Sequence, residues 1–298
     1  MRRILLLSSS MRSILSQGRG SIFYEPGGSN LLDHIQTGNS NEEIYKYFPD
    51  IFYNIKKQKF LKIPEGVEFK KSCHKFEVMP KAYYILLNKG LEYHLSEENL
   101  KEKPVIINVG RFDPLKGQHI LAKTWSSSRL SDEYDLVLIG GNIKSPDKNE
   151  KIVLEEIKKN LKGLREKEAA VLTGALENGI IRCLENSIIM NLVHETPHMY
   201  ICSSYKEEFG ISILEAMSAG FLIFAPRRGG VKGYIKNGEN GFLINTNTAD
   251  SIKEEVLIVL DSFKPKRLRE IAEKGRQTVF DNFSIESIAK KYKKLYET

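Results

Sequence analysis

Cysteine and tryptophan are scarce in this chain of 298 residues, which has three of the first and one of the second. Cys73, Cys183 and Cys202 are odd in number, far apart and in no Cys-x-x-Cys pair, which favours a reducing cytoplasm over a disulfide framework. Long apolar runs are missing as well. No stretch approaches the roughly 18 apolar residues of a membrane span, and the apolar run near the start, Ile4-Leu-Leu-Leu7, is too short for a signal peptide and reads as a strand. The cations are not clustered among stacking aromatics, so nucleic acid is not an expected partner. No Ser-His-Asp or cysteine-nucleophile arrangement can be inferred, and His34, His74, His94 and His119 stand alone. His194-Glu-Thr-Pro-His198 fits the spacing of a zinc-protease helix. Pro197 would break that helix at a cost of about 3 kcal/mol, so a loop or helix end is expected and no metal site is assigned. Internal repeats and low-complexity segments are absent.

What remains is the composition of an ordinary soluble protein, 41% hydrophobic and 28% charged, long enough for two compact units. Its net charge of +7 suits an anionic ligand or an acidic surface without choosing between them.

The most informative stretch is Tyr205-Lys-Glu-Glu-Phe-Gly-Ile-Ser-Ile-Leu-Glu-Ala-Met-Ser-Ala-Gly220. An apolar run, Met199 to Ser204, precedes it and reads as a buried strand. Gly220 is a helix stop, so the unit is strand, loop, helix. With a helix starting near Ile211, Glu207 lies just ahead of the first turn and Glu215 about one turn inside. The free amides and positive dipole end between them favour phosphate. Carboxylates flanking such an anion site are suited to accept hydrogen bonds from hydroxyls. The implied ligand carries hydroxyls at both ends and phosphate in the middle, as a nucleotide sugar does. Against this, two glutamates taken alone would be solvated surface charges.

Upstream, Val105 to Gly110 reads as another buried strand, followed by Arg111-Phe-Asp-Pro-Leu-Lys-Gly117 and a helical run. Gly110 lets the backbone approach a ligand, and Arg111 with Lys116 supplies two cations at the carboxyl end of the strand, enough to hold a diphosphate. Strands are expected near 105–109, 135–140, 170–173, 199–203, 221–225 and 242–244. Helices are expected near 116–126, 150–163, 211–218, 250–263, 265–280 and 285–297, the alternation of a parallel α/β sheet. Residues 95–103 read as a charged linker. Earlier in the chain, residues 4–7 and 60–63 read as strands, 11–16, 41–48 and 81–89 as helices. The Gly18-Arg-Gly20 loop lacks the strand-then-helix frame of a phosphate cradle.

Taken together, Gly110-Arg111, Lys116-Gly117 and the Glu207-x7-Glu215 pair resemble the retaining glycosyltransferases of the GT-B fold, family 4 (glycosyl transferases group 1). The resemblance runs through Leu136-Val-Leu-Ile-Gly-Gly141, Val171-Leu-Thr-Gly174, Arg228-Gly-Gly230 and Asn237-Gly-Glu-Asn-Gly-Phe-Leu-Ile244, and covers about residues 60 to 298. It implies that Arg111 and Lys116 bind the donor diphosphate and that Glu207 contacts donor-sugar hydroxyls, which makes these three the catalytic candidates. It further implies that Glu215 holds the ribose hydroxyls, while Gly110 and the backbone of Phe209, Gly210 and Ile211 line the donor pocket. Neither a metal nor a cofactor is implied; the nucleotide-diphosphate sugar is a substrate.

The implied architecture is α/β, with a complete Rossmann-like carboxy-terminal domain and a truncated amino-terminal α/β domain. The expected divisions are a partial acceptor-side domain over 1–100, a donor-binding domain over 101–280 and a carboxy-terminal helix over 281–298 that returns toward the first domain. A full first domain needs roughly 150 residues, and fewer than half that number precede Pro64. The family's glycine-rich acceptor loop and reaction-centre histidine have no clear counterpart there. This departure motivates a rival reading, a non-catalytic nucleotide-sugar-binding or partner-binding protein of the same descent. By family habit the acceptor is a glycan, a lipid-linked sugar or a small molecule, the location cytoplasmic or peripheral at the inner membrane face, and a partner chain could complete the first domain.

Overall fold

The structure is a computed structural model and describes residues 3–7, 32–37, 60–61, 66–68, 84–88, 91–162 and 169–297. The helices expected over 11–16 and 41–48 and the Gly18-Arg-Gly20 loop lie outside the described residues. By its contacts the chain divides into two compact units, one of Met1–Val67 with Asn282–Thr298 and one of Glu68–Asp281.

In the first unit, β1 (Arg3–Leu7), β2 (Leu32–Thr37) and β3 (Phe60–Leu61) form a parallel sheet in that order. Val67 bridges to Ser284, donating to the Phe283 carbonyl at 2.7 Å and accepting from the Ile285 amide at 3.1 Å.

The second unit carries the site. Its elements in chain order are α1 (Glu97–Glu102), β4 (Val105–Val109), α2 (Gln118–Ser126), α3 (Leu130–Glu133), β5 (Asp135–Ile139) and α4 (Lys148–Leu161). They continue with β6 (Ala170–Thr173), α5 (Asn178–Asn191), β7 (Met199–Ile201), α6 (Ile211–Ala219), β8 (Leu222–Pro226), a 3-10 turn over Gly230–Gly233, β9 (Phe242–Ile244) and α7 (Ala249–Ser262). α8 (Pro265–Phe283) lies almost wholly in this unit, whereas α9 (Ile285–Glu297) belongs to the first. The six strands β4 to β9 form one parallel sheet in the order β6-β5-β4-β7-β8-β9. Helices cover it, so the strands are apolar on both faces, and VIINV, DLVLI and LIFAP are each buried almost throughout.

Trp125 is fully buried and donates from Nε1 to the Tyr134 carbonyl at 2.8 Å, which satisfies its one polar atom inside the core. α4 begins with a reciprocal capping box between Asp147 and Glu150. Asn108 is buried near the carboxyl end of β4 and donates from Nδ2 to the Ile201 carbonyl at 2.7 Å, joining β4 to β7.

Three elements were not expected, the four-residue α3 among them. The charged segment over 95–103 contains α1, whose Leu100 is fully buried. Between β6 and β7, where no helix was expected, lies the fourteen-residue α5. Its inward face includes Arg182, Glu185 and Ser187 as well as Ile181, Leu184 and Ile188, so charges interrupt the apolar stripe that marks a helix in sequence. Cys202 is a buried free thiol, whereas Cys183 is disulfide-bonded, a pairing that the wide spacing of the cysteines did not suggest.

Candidate functional site

The strand order decides where the site lies. From β4 the chain moves outward through β5 and β6, then returns to lay β7 on the other side of β4. β4 and β7 are thus neighbours at the point where the strand order reverses, and it is outside the carboxyl ends of the strands at such a switch point that doubly wound sheets bind ligands. The loop after β4 contains Arg111 and Lys116, and the loop after β7 contains Glu207. Lys116 Nζ lies 2.7 Å from Glu207 Oε2, joining side chains 91 residues apart. Ser204 Oγ donates to the same oxygen at 3.2 Å. Oε1 of Glu207 makes no hydrogen bond among the described residues. The lysine side chain is 33% exposed and the glutamate 14%, so the pair faces solvent on one side and protein on the other.

Two glycines force this meeting. Gly117 has φ +68°, and a Cβ there would fall 2.3 Å from the Ser203 carbonyl oxygen, so the two loops touch backbone to backbone. Ser203 Oγ completes the contact by donating to the Lys116 carbonyl at 3.0 Å. Gly229 has φ +101°, and its absent Cβ would lie 2.0 Å from the Glu207 carbonyl oxygen. The Arg228-Gly-Gly230 turn thereby pairs with Glu207 like a strand. Glu207 N–H donates to the Arg228 carbonyl at 3.1 Å, and Gly230 N–H donates to the Glu207 carbonyl at 3.0 Å.

Both helices that begin here start on a left-handed glycine with no side-chain cap, Gly117 for α2 and Gly210 for α6. Their first amides and positive dipole ends are thus left for a ligand. Tyr234 steadies the second start from below, donating from its hydroxyl to the Phe209 carbonyl at 2.7 Å, and burial pushes that phenol well above its usual range. Ile211, the first residue of α6, is exposed.

The remaining candidates are less tightly joined. Arg111 is exposed and forms no ion pair among the described residues. Gly110 sits at the end of β4, its N–H bonded to the Ile139 carbonyl at 3.0 Å and its carbonyl receiving Gln118 Nε2 at 2.8 Å. Glu215 lies one turn inside α6 and bonds neither Lys116 nor Glu207. It accepts from Asn178 Nδ2 at 2.7 Å. Ser204 and Asn178 had no signal in the sequence, since each is a common polar residue far along the chain from the partner it serves. Thr246, after β9, also reaches this edge, donating to the Ser204 carbonyl at 2.7 Å.

His198 shows why the His-Glu-Thr-Pro-His run is not a metal site. Its Nδ1 accepts from the Val105 amide at 2.9 Å and its Nε2 donates to the Leu192 carbonyl at 2.7 Å, so both nitrogens are committed to backbone. Burial lowers its pKa to about 4. A cavity of about 230 Å³ beside it, lined by His194, Arg269 and Arg276 among others, includes none of the candidate residues.

Residues 92–278 match the family described as Glycosyl transferases group 1. The chain belongs to that family. Among curated relatives, a sucrose synthase of Acidithiobacillus caldus is 26% identical over 202 residues, 64% of this chain and 24% of that protein. A trehalose synthase of Pyrococcus horikoshii is 26% identical over 268 residues, 87% of this chain and 61% of that protein. The chain thus spans about a quarter of the first and three fifths of the second. Among solved structures, a sucrose-phosphate synthase from Thermosynechococcus elongatus superposes with a TM-score of 0.66 at 19% identity, covering 99% of this chain and 67% of that one. Anabaena HepE, solved in complex with UDP and glucose, also gives 0.66, at 14% identity, covering 100% of this chain and 72% of that one. These likenesses establish an α/β fold of the GT-B type for this chain.

Proposed function

We propose that this protein moves a sugar from a nucleotide-diphosphate sugar to a glycan, lipid-linked or small-molecule acceptor, with retention of anomeric configuration. The observation that carries the reading is the 2.7 Å contact of Lys116 with Glu207 at the switch point, beside the uncapped starts of α2 and α6. A cation, a carboxylate and free amides on one sheet edge suit a ligand that has a diphosphate flanked by hydroxylated groups. Arg111, Lys116 and the amides near Ile211 stabilise the departing diphosphate as negative charge builds on its leaving oxygen. Glu207 accepts from donor-sugar hydroxyls through its open oxygen, and Glu215 accepts from the ribose. Gly110 and the backbone of Phe209, Gly210 and Ile211 line the pocket. HepE was solved with UDP, which makes UDP-sugars the first donors to try. The chemistry asks for no metal or cofactor, because charge stabilisation is supplied by fixed cations and amides.

The location that goes with this reading is the cytoplasm or the inner membrane face, where a net charge of +7 favours anionic headgroups. No helix among the described residues is long and apolar enough to cross a membrane. A disulfide at Cys183 that persists in extracts made with thiols blocked would argue against a reducing compartment. A partner chain that completes the first unit would appear as a second species in cross-linked extracts.

A thermal-shift screen against UDP-, GDP- and ADP-sugars, followed by mass spectrometry for released or transferred sugar, tests the reaction. Stabilisation by one donor series with sugar release is the expected result. Tight binding without turnover would replace the enzyme with a nucleotide-sugar-binding protein, and no stabilisation by any of them would remove both.

A further inference from the structure

Glu215 is held from two directions by α5. Asn178, the first residue of that helix, donates from Nδ2 to Glu215 Oε1 at 2.7 Å. One turn on, Arg182 donates to Ser218 Oγ, and Ser218 Oγ donates to the Glu215 main-chain carbonyl at 2.8 Å. Arg182 also pairs with Glu185, and the two are only 3% and 0% exposed. A fully buried ion pair adds little net stability, since desolvation offsets its attraction. Here it fixes the guanidinium that steadies the backbone of α6 at the residue whose side chain Asn178 holds.

We propose that Asn178 is a positioning residue that sets the Glu215 carboxylate to receive a vicinal diol, so that the site discriminates ribose from 2′-deoxyribose in the bound nucleotide. This rests on the reading that Glu215 accepts the ribose hydroxyls. A carboxylate offers about four lone-pair sites. Asn178 occupies one on Oε1, leaving the other on that oxygen and both on Oε2. The terminal torsion of a glutamate is otherwise broad, and freezing it costs entropy. With the torsion already fixed by Asn178, two adjacent hydroxyls can reach the two oxygens together without that cost. A 2′-deoxy sugar has a single donor to offer and gains less from the fixed carboxylate. Asn178 is exposed, so replacing it disturbs no core.

The test is titration calorimetry of the full chain with UDP, GDP and ADP and their 2′-deoxy forms, on the parent, Asn178→Ala, Asn178→Asp and Glu215→Ala. Asn178→Asp keeps the shape but turns the donor into a charged acceptor facing Glu215. The ribose-to-deoxyribose affinity ratio should fall about five- to tenfold in Asn178→Ala, the loss of one charge-assisted hydrogen bond at an exposed site, and at least as far in Asn178→Asp. Donor KM should rise while kcat stays within about twofold. An unchanged ratio in both Asn178 variants, with Glu215→Ala removing it, overturns this inference alone. An unchanged ratio in Glu215→Ala overturns the ribose assignment beneath it, and failure of all three diphosphates to bind at about 1 mM ends both.

Discussion

Replacing Lys116 by alanine leaves Glu207 with Ser204 Oγ as the donor to Oε2 and removes one of the two cations proposed to hold the diphosphate. Loss of one well-aimed donor at a site of developing negative charge commonly costs about 10²- to 10³-fold in rate. Lys116→Ala and Arg111→Ala should each lower sugar transfer by that order, and near-parental turnover in both would defeat the assignment of the diphosphate site. His198 belongs to the same scale but to stability. Its folded pKa of about 4 lies below the ordinary 6.5 because burial disfavours the charged ring. The unfolded chain therefore binds the extra proton between those values, and the contribution of the neutral ring, full above pH 6.5, is lost as pH falls toward 4. A shift of this size corresponds to about 3 kcal/mol. Glu185 acts in the opposite sense, since burial raises its carboxyl to about 7 and stability is lost as pH rises through that value. The two slopes oppose each other, so the check is a difference. The stability deficit of His198→Gln relative to the parent, from denaturant unfolding, should shrink by about 3 kcal/mol between pH 6.5 and 4, and a constant deficit would contradict the account.

Among the elements, the turn after β8 has a job disproportionate to its size. Arg228-Gly-Gly230 pairs with Glu207 only because position 229 has no side chain. Gly229→Ala should cost about 1–3 kcal/mol in backbone strain, displace Glu207 from Lys116 and weaken donor binding. Parental donor affinity in that variant would show that the turn does not place the glutamate. Elements also show what a sequence can and cannot reveal. β4, β6 and β9 have the expected bounds, because strands buried on both faces read as short, nearly continuous apolar runs. α5 escaped because the buried Arg182, Glu185 and Ser187 break its stripe. α1 escaped because six residues with one buried leucine look like a linker. The Glu207 and Lys116 loops were legible as glycine-bounded turns after apolar runs. Their contact was not, because it depends on strand order, which no local pattern records. Asn178 was invisible for a simpler reason, being an exposed asparagine 37 residues before the carboxylate it bonds.

At the scale of the whole molecule, the described part of the first unit is a three-stranded parallel sheet together with α9, while the second unit contains every residue proposed for donor binding. The positive charge of the chain is spread over helices, many of its lysines and arginines paired within a turn or two, as Lys151 is with Glu155 and Arg267 with Glu270. Such surface pairs contribute little to stability, so the charge favours anionic partners in general and does not select one. Selection falls to the switch point of the second sheet. A crystal structure of the full chain with bound UDP would test that claim most directly. The account predicts the diphosphate within hydrogen-bonding distance of Lys116 Nζ and the first amides of α6, with the ribose hydroxyls on Glu215. A diphosphate seated elsewhere, for example among Arg269, Arg276 and His194 in the cavity beside His198, would contradict it.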